Sequence, residues 1–215
     1  QALGLWGLSH IATLGPGVAN AANVIANAMQ DRVPLIFLTG CVDEVEAQSY
    51  THQVFDHAAL LRPIVKATLR ATAETASLVA DRAVLIALSG RPGPVHIDIP
   101  IGVAEGPTRE RAGAASNLPT PVIPARTEAF KAARALIAGA RRPIIVAGLD
   151  VVTQNAARRV AAIAQRLGAP VVTTYKAKGL LPESDPLALG GAGLSPKADK
   201  IILPLLRSSD CILLV

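Results

Sequence analysis

Apolar and polar positions alternate along the chain in two distinct periods. Short apolar runs bounded by Pro or Gly recur at His10–Thr13, Pro34–Gly40, Val65–Leu69, Pro94–Pro100, Pro143–Gly148, Pro170–Thr174 and Cys211–Val215. Pro at the first position of a strand forfeits no ladder hydrogen bond, so a Pro-opened run of β-branched residues predicts a strand start. Between these runs lie helical patterns at Val18–Gln30, Ala73–Leu88, Glu128–Gly139, Gln154–Leu167 and Asp199–Arg207. In the second of them Ala76, Val79, Ala80, Ala83 and Ala87 keep i, i+3, i+4 spacing. Gly168 and then Pro170 form a stop signal after the fourth. Strands alternating with helices predict an α/β fold of parallel sheets with helices on both faces.

The stretch Gly102–Arg126 breaks the alternation. It is rich in Gly, Pro, Ser and Thr and has no period, as expected of an interdomain linker. The expected organisation is therefore two α/β units, 1–103 and 125–215, joined by 104–124. Neither is long enough for a complete doubly wound domain. The chain opens at Gln1 without a start signal and stops inside an apparent buried strand, so it is expected to be a piece of a longer protein.

Composition narrows the function. With 51% hydrophobic residues the chain is not disordered, and with 3% aromatic it lacks a stacking platform for single-stranded nucleic acid. The net charge of +5 comes from scattered basic residues without a basic stripe, so no nucleic-acid partner is expected. Cys41 and Cys211 border apolar runs and read as small core residues, not as a disulfide or zinc framework. No apolar run reaches the ~18 residues of a membrane span, and no signal peptide is recognised. No membrane contact is expected, and the expected location is cytoplasmic.

Three places could carry chemistry. Thr13-Leu14-Gly15-Pro16-Gly17 feeds a helix start at Val18; such a turn either cradles an anion on free N–H groups or serves only as a tight connection. The loop Cys41–His57 follows a strand and carries Asp43, Glu44, His52, Gln53, Asp56 and His57. Catalytic groups gather at the carboxyl ends of parallel strands, yet a solvated loop whose His57 starts a short helix fits equally. His52 and His57 have the wrong spacing for a same-face metal pair, and no metal site is expected. His96 and Asp98 share one face of a strand, and read as a structural hydrogen-bonded pair because no Ser or Cys nucleophile motif accompanies them.

Taken in order, the motifs resemble a known family. Thr13-Leu-Gly-Pro-Gly-Val-Ala-Asn20, Asp31-Arg-Val-Pro-Leu-Ile36, Thr39-Gly40, Gln53, Arg62-Pro63 with Lys66, Ser89-Gly-Arg-Pro-Gly-Pro-Val95 and Asp98-Ile-Pro100 resemble the pyrimidine-binding domain of thiamine-diphosphate-dependent enzymes of the acetolactate synthase-like family. Arg142–Gly148, Gly168–Thr174, Lys178-Gly-Leu-Leu-Pro182, Gly190 and Ser209-Asp210 resemble the same family's central, Rossmann-like domain. The resemblance implies a 2-oxo acid decarboxylase or carboligase, a lyase or transferase, using thiamine diphosphate and magnesium on a small 2-oxo acid or aldehyde. A homodimer or homotetramer is implied as well. Pro16 and Asn20 match positions beside the pyrimidine ring, and Gln53 one facing the reacting end of the cofactor. His52 replaces a phenylalanine of acetolactate synthases, and Ile101 a frequent lysine. The activating glutamate falls upstream of Gln1, and no Gly-Asp-Gly metal motif occurs, so the 215 residues alone are expected to be inactive. The Gly-rich turn that some members use for FAD is reduced to Ala147-Gly148-Leu149-Asp150, which argues against bound FAD. A nucleotide-binding α/β module without G-x-G-x-x-G, or a non-catalytic interaction subunit, stays open as an alternative.

Overall fold

The computed structural model describes residues 8–107, 123 and 125–215. Most of the expected linker 104–124 lies outside the described residues. Contacts divide the chain into two compact units, Gln1–Pro121 and Val122–Val215.

In the first unit, β1 (Leu8–Ala12), β2 (Leu35–Cys41), β3 (Ala67–Arg70) and β4 (Val95–Pro100) form a four-stranded sheet in the order β1-β2-β4-β3. Every neighbouring pair is parallel. The faces of β2 alternate, with Leu35, Phe37, Thr39 and Cys41 buried and Ile36, Leu38 and Gly40 half-buried. Helix α1 (Pro16–Asp31) lays Val18, Ala21, Ile25 and Ala28 against Leu35 and Phe37, joined by Leu61 of α2 (His57–Leu61). Those four helical positions follow the i, i+3, i+4 rule, and Pro16 sits in the first turn, where its missing N–H costs nothing. Helix α3 (Ala76–Leu88) covers the opposite face, packing Ala83 and Ala87 on Val95 and Ile97. Small alanines there let the helix come close to the sheet.

The second unit repeats the plan. Strands β5 (Pro143–Ala147), β6 (Val171–Thr174), β7 (Ala188–Ala192) and β8 (Cys211–Leu214) form a parallel sheet in the order β7-β6-β5-β8. Ile145, Ala147 and Val171 pack under α6 (Leu149–Thr153) and α7 (Ala157–Leu167). Ile144 and Val172 pack under Ile202 of α8 (Pro196–Ser208). Asp210 ties the strand starts together, its carboxylate accepting the Arg141 and Arg142 N–H groups at 2.8 Å each. Those bonds hold it below the ordinary carboxylate range. Helix α5 (Glu128–Gly139) precedes β5, and none of its residues is buried.

The two parallel sheets with helices on both faces are as the alternation predicts; three details differ. Strand β7 goes unforeseen because Ala-Leu-Gly-Gly-Ala lacks β-branched residues; Gly190 takes φ +78° where the register with β6 shifts. The helix expected over Gln154–Leu167 is present as α7 from Ala157, and a short helix the pattern did not predict, α6, precedes it; Asn155, with a left-handed φ of 51°, lies between the two. The stretch expected to be structureless from Gly102 instead opens with a short helix, α4 (Ile101–Glu105).

Lys66 finds a structural role. Its Nζ donates to the carbonyls of Ile86, in the last turn of α3, and of Ser89 beyond it, the latter at 2.6 Å. A cation there complements the negative end of the helix dipole. Gly93 leaves room for the lysine stem, since a Cβ on it would lie 3.2 Å from Cγ and Cδ. Burial lowers the Lys66 pKa from its ordinary value. Lys66→Met should cost about 1.5–3 kcal/mol, the usual range for hydrogen bonds from a charged donor, read as a fall in the urea midpoint at unchanged slope.

Candidate functional site

The carboxyl ends of β2 and β4 lie side by side at the centre of the first sheet, with Thr39 opposite Asp98 and Phe37 opposite His96. Period-2 geometry turns Thr39, His96 and Asp98 to the α1 side. The chain after β2 crosses over this edge and returns at His57, the first residue of α2. Asp56 caps that helix by accepting the Ala59 N–H at 2.8 Å. His57, 5% exposed, thereby reaches the strand residues.

The four side chains form one network. Thr39 Oγ1 donates to Asp98 Oδ1 at 2.5 Å, and His57 Nδ1 lies 2.8 Å from the same oxygen. His96 Nε2 is 2.7 Å from Thr39 Oγ1 and 3.4 Å from Asp98 Oδ1. The Gly15 N–H donates to His57 Nε2 at 3.1 Å. Proton positions follow by elimination. An amide N–H only donates, so His57 Nε2 is a bare acceptor and its proton sits on Nδ1, given to Asp98. The Thr39 hydroxyl spends its proton on Asp98, so it accepts from His96 Nε2–H. His96 Nδ1, buried without a partner, is then the bare nitrogen. Burial pushes the Asp98 pKa up, but hydrogen bonds from His57, His96 and Thr39 outweigh it and hold the carboxylate well below its ordinary range.

His57, His96 and Asp98 are close enough to suggest a cation site, their ligand atoms lying within 4.8 Å. The hydrogen bonds argue otherwise: both nitrogens that face the carboxylate carry protons, and the free lone pair of His57 is taken by Gly15. Cys41 borders the same region with a thiol pushed up to about 11, chiefly by burial and then by Asp98, so it is held in the unreactive form.

A cavity of about 480 Å³ opens between the loop and the sheet edge, lined by Leu14, Gln53, Phe55, His57, Arg70 and Asp98 among others. The Arg70 guanidinium donates to the Val42 carbonyl at 3.0 Å and anchors the start of the loop. At the mouth the loop meets the turn before α1. Gly15 has φ +63°, and a Cβ on it would lie 2.2 Å from the Gln53 carbonyl oxygen, so glycine is required twice over, by conformation and by space. Gln53 itself has φ +59°, a strained conformation for glutamine that the close packing enforces. Pro16 and Asn20 lie exposed one turn apart on α1, and His52 and Gln53 lie exposed on the loop. The structure therefore brings the Gln53 backbone onto the turn that leads into Pro16. Sequence reasoning missed Thr39 as a network member, because strand register is not written in one strand's own sequence. It identified His57 only as an even choice between loop function and helix start.

Asp98 makes stability depend on acid. A carboxylate whose folded pKa is depressed contributes stability that is present above its unfolded pKa of about 3.9 and is lost as pH falls toward the folded value. Urea unfolding between about pH 6 and about pH 3.5 should show stability of the wild type falling with acid, and a shallower fall in Asp98→Asn. Thr39→Val should cost about 1–3 kcal/mol at neutral pH, because it strands the His96 N–H and removes one carboxylate donor.

Residues 10–60 match the family described as thiamine pyrophosphate enzyme, N-terminal TPP binding domain, and residues 130–215 match its central domain. A probable acetolactate synthase large subunit of Methanocaldococcus jannaschii is 35% identical over 190 residues, covering 86% of this chain and 32% of the relative. That of Methanococcus aeolicus is 36% identical over 193 residues, with the same 86% and 32% coverage. A probable 2-ketoarginine decarboxylase of Pseudomonas aeruginosa is 34% identical over 183 residues, covering 83% of this chain and 32% of the relative. The chain thus spans about a third of the length of these curated relatives. With the N-terminal and central family domains in order along it, the chain belongs to the thiamine pyrophosphate enzymes.

Proposed function

We infer that the protein acts in decarboxylation or carboligation of small 2-oxo acids, in the manner of acetolactate synthases, with a pyrimidine-binding part over 1–103 and a central part over 125–215. The observation that carries this reading is the apposition of Gly15 and Gln53 at the carboxyl edge of the first sheet. It gathers exposed Pro16 and Asn20 on one helical turn with an exposed loop bearing His52 and Gln53. The names of the relatives, synthases of acetolactate and a decarboxylase of 2-ketoarginine, support the substrate class.

These residues suit a flat heterocycle with donor and acceptor edges. Pro16 offers an apolar surface, while Asn20 and Gln53 offer amides that both donate and accept. Thiamine diphosphate, when bound, supplies a carbon nucleophile and an electron sink for loss of carbon dioxide. The role of Gln53 is to donate a hydrogen bond to charge developing on the substrate oxygen, and that of His52 is to hold or pass a proton on its imidazole. Magnesium and the diphosphate are assigned to residues beyond this sequence, which has no Gly-Asp-Gly. FAD is not assigned: the Gly148 N–H after β5 is taken by the Val215 carbonyl at 2.7 Å. A cytoplasmic homo-oligomer is the form we assign.

The test is steady-state kinetics of the full-length protein on a panel of 2-oxo acids with thiamine diphosphate and magnesium. Gln53→Ala should lower turnover by about 10²–10³, the usual cost of losing one donor to a developing charge, with little change in cofactor affinity. His52→Phe should shift acceptor preference and leave stability intact, since the side chain is exposed. The 215 residues alone should show no turnover. Unchanged turnover in Gln53→Ala, or an effect confined to cofactor affinity, would make the loop scaffold and not site.

A further inference from the structure

His57 stands between the two halves of the proposed site without belonging to either. It lies four residues beyond Gln53 on the same crossing segment, and its far nitrogen reaches back to the turn before α1. Gly15 is buried, and its N–H is among the donors that a helix start leaves without an intrahelical partner. Its carbonyl already serves the Val18 and Ala19 N–H groups, at 2.9 and 3.2 Å. The acceptor for the Gly15 N–H is thus a side chain from the opposite wall, and its lone pair is available only while the other nitrogen keeps the proton shared with Asp98.

We propose that His57 is a positioning residue: its Nε2 lone pair latches the Gly15 amide, fixing the turn that carries Pro16 against the loop that carries Gln53, and the latch opens when Nε2 takes a proton. This rests on the function inferred above and adds to it a residue that touches neither cofactor nor substrate. Protonation from solvent sets an N–H against the Gly15 N–H, and two donors cannot share a hydrogen bond. The surrounding groups set the conditions. Asp98 and His96 face the ring from β4; Cys41, Glu44, Asp56 and Arg70 line the cavity beside it. Phe55 packs edge-on at 5.1 Å between ring centroids and shields it on the loop side.

Hydrogen–deuterium exchange on the full-length protein, normalised for intrinsic rates, tests the latch without substrate. In the wild type, protection of a peptide spanning Leu14–Val18 should fall on acidification while the interior of α1 stays protected. His57→Leu should lose about tenfold of that protection at neutral pH. His57→Gln, whose amide oxygen can accept the Gly15 N–H but takes no proton, should keep the protection and lose its pH dependence. In kinetics, His57→Leu should lower kcat more than it raises KM, and His57→Gln should restore kcat while abolishing the acid limb of the wild-type profile. The proposal is overturned if the Leu14–Val18 peptide is unaffected by both variants. It is equally overturned if protection is lost alike over α1 and β2, which would make His57 an ordinary core residue, or if the Gln variant keeps the acid limb. A full-length wild type that turns over no 2-oxo acid would remove the inferred function, whereas the exchange result would still decide the latch.

Discussion

A buried carboxylate must be surrounded by donors or it will not stay charged. Asp98 meets that condition with groups from separate parts of the chain: Thr39 from the neighbouring strand and His57 from the crossing loop, with His96 reached through the threonine. Each partner is thereby fixed in rotamer and tautomer. Because His57 is committed on one nitrogen, the other becomes an acceptor of known direction, and the turn before α1 is held by it. The position of the loop thus descends from one strand residue whose charge has to be satisfied.

The same logic explains why the exposed residues can be polar and strained. Loops at the carboxyl edge of a parallel sheet are free to vary because the sheet carries the stability. Ile25, Phe37 and Leu61 are fully buried beneath this edge, and truncating such a side chain to alanine costs roughly 2–5 kcal/mol. Against that foundation, a glutamine held at φ +59° is a small cost. Gly15 could not be exchanged in the same way, since any side chain would enter the Gln53 carbonyl.

How much of this was legible in the sequence depends on how local each determinant is. Pro-opened β-branched runs and the i, i+4 spacing of small apolar residues are local, and they place seven of the strands and most helices within a few residues. Strand β7 is not locally encoded, because its glycines are there for a bulge against β6. The order β1-β2-β4-β3 is not local either, and with it goes the register that sets Thr39 beside Asp98. Alternation alone could pair His96 with Asp98 but could not reveal their partners. Motif order led to Pro16, Asn20 and Gln53 as candidates, while the contact that joins their elements is a backbone approach that no side-chain pattern records.

Lys66 shows the opposite error that motif reading invites. Grouped with Arg62-Pro63 it looks like a member of a functional signature, yet its ammonium is spent on the carbonyls at the end of α3. The Pro92-Gly93-Pro94 return is shaped around it: Pro94 accepts the Lys66 backbone N–H at 2.8 Å, and Gly93 clears its stem. Two segments some 20 residues apart in sequence are therefore one packing unit, a helix end and the cation that covers it. His57 belongs with Gln53 by chain proximity but with Asp98 by chemistry, and only that second association says what it does. Separating residues that hold the edge of the sheet from residues that face outward across it is a matter of where each polar atom is spent. In this first unit the buried side chains of Thr39, His57, His96 and Asp98 spend their polar atoms largely on one another, whereas Asn20, His52 and Gln53 lie exposed to solvent.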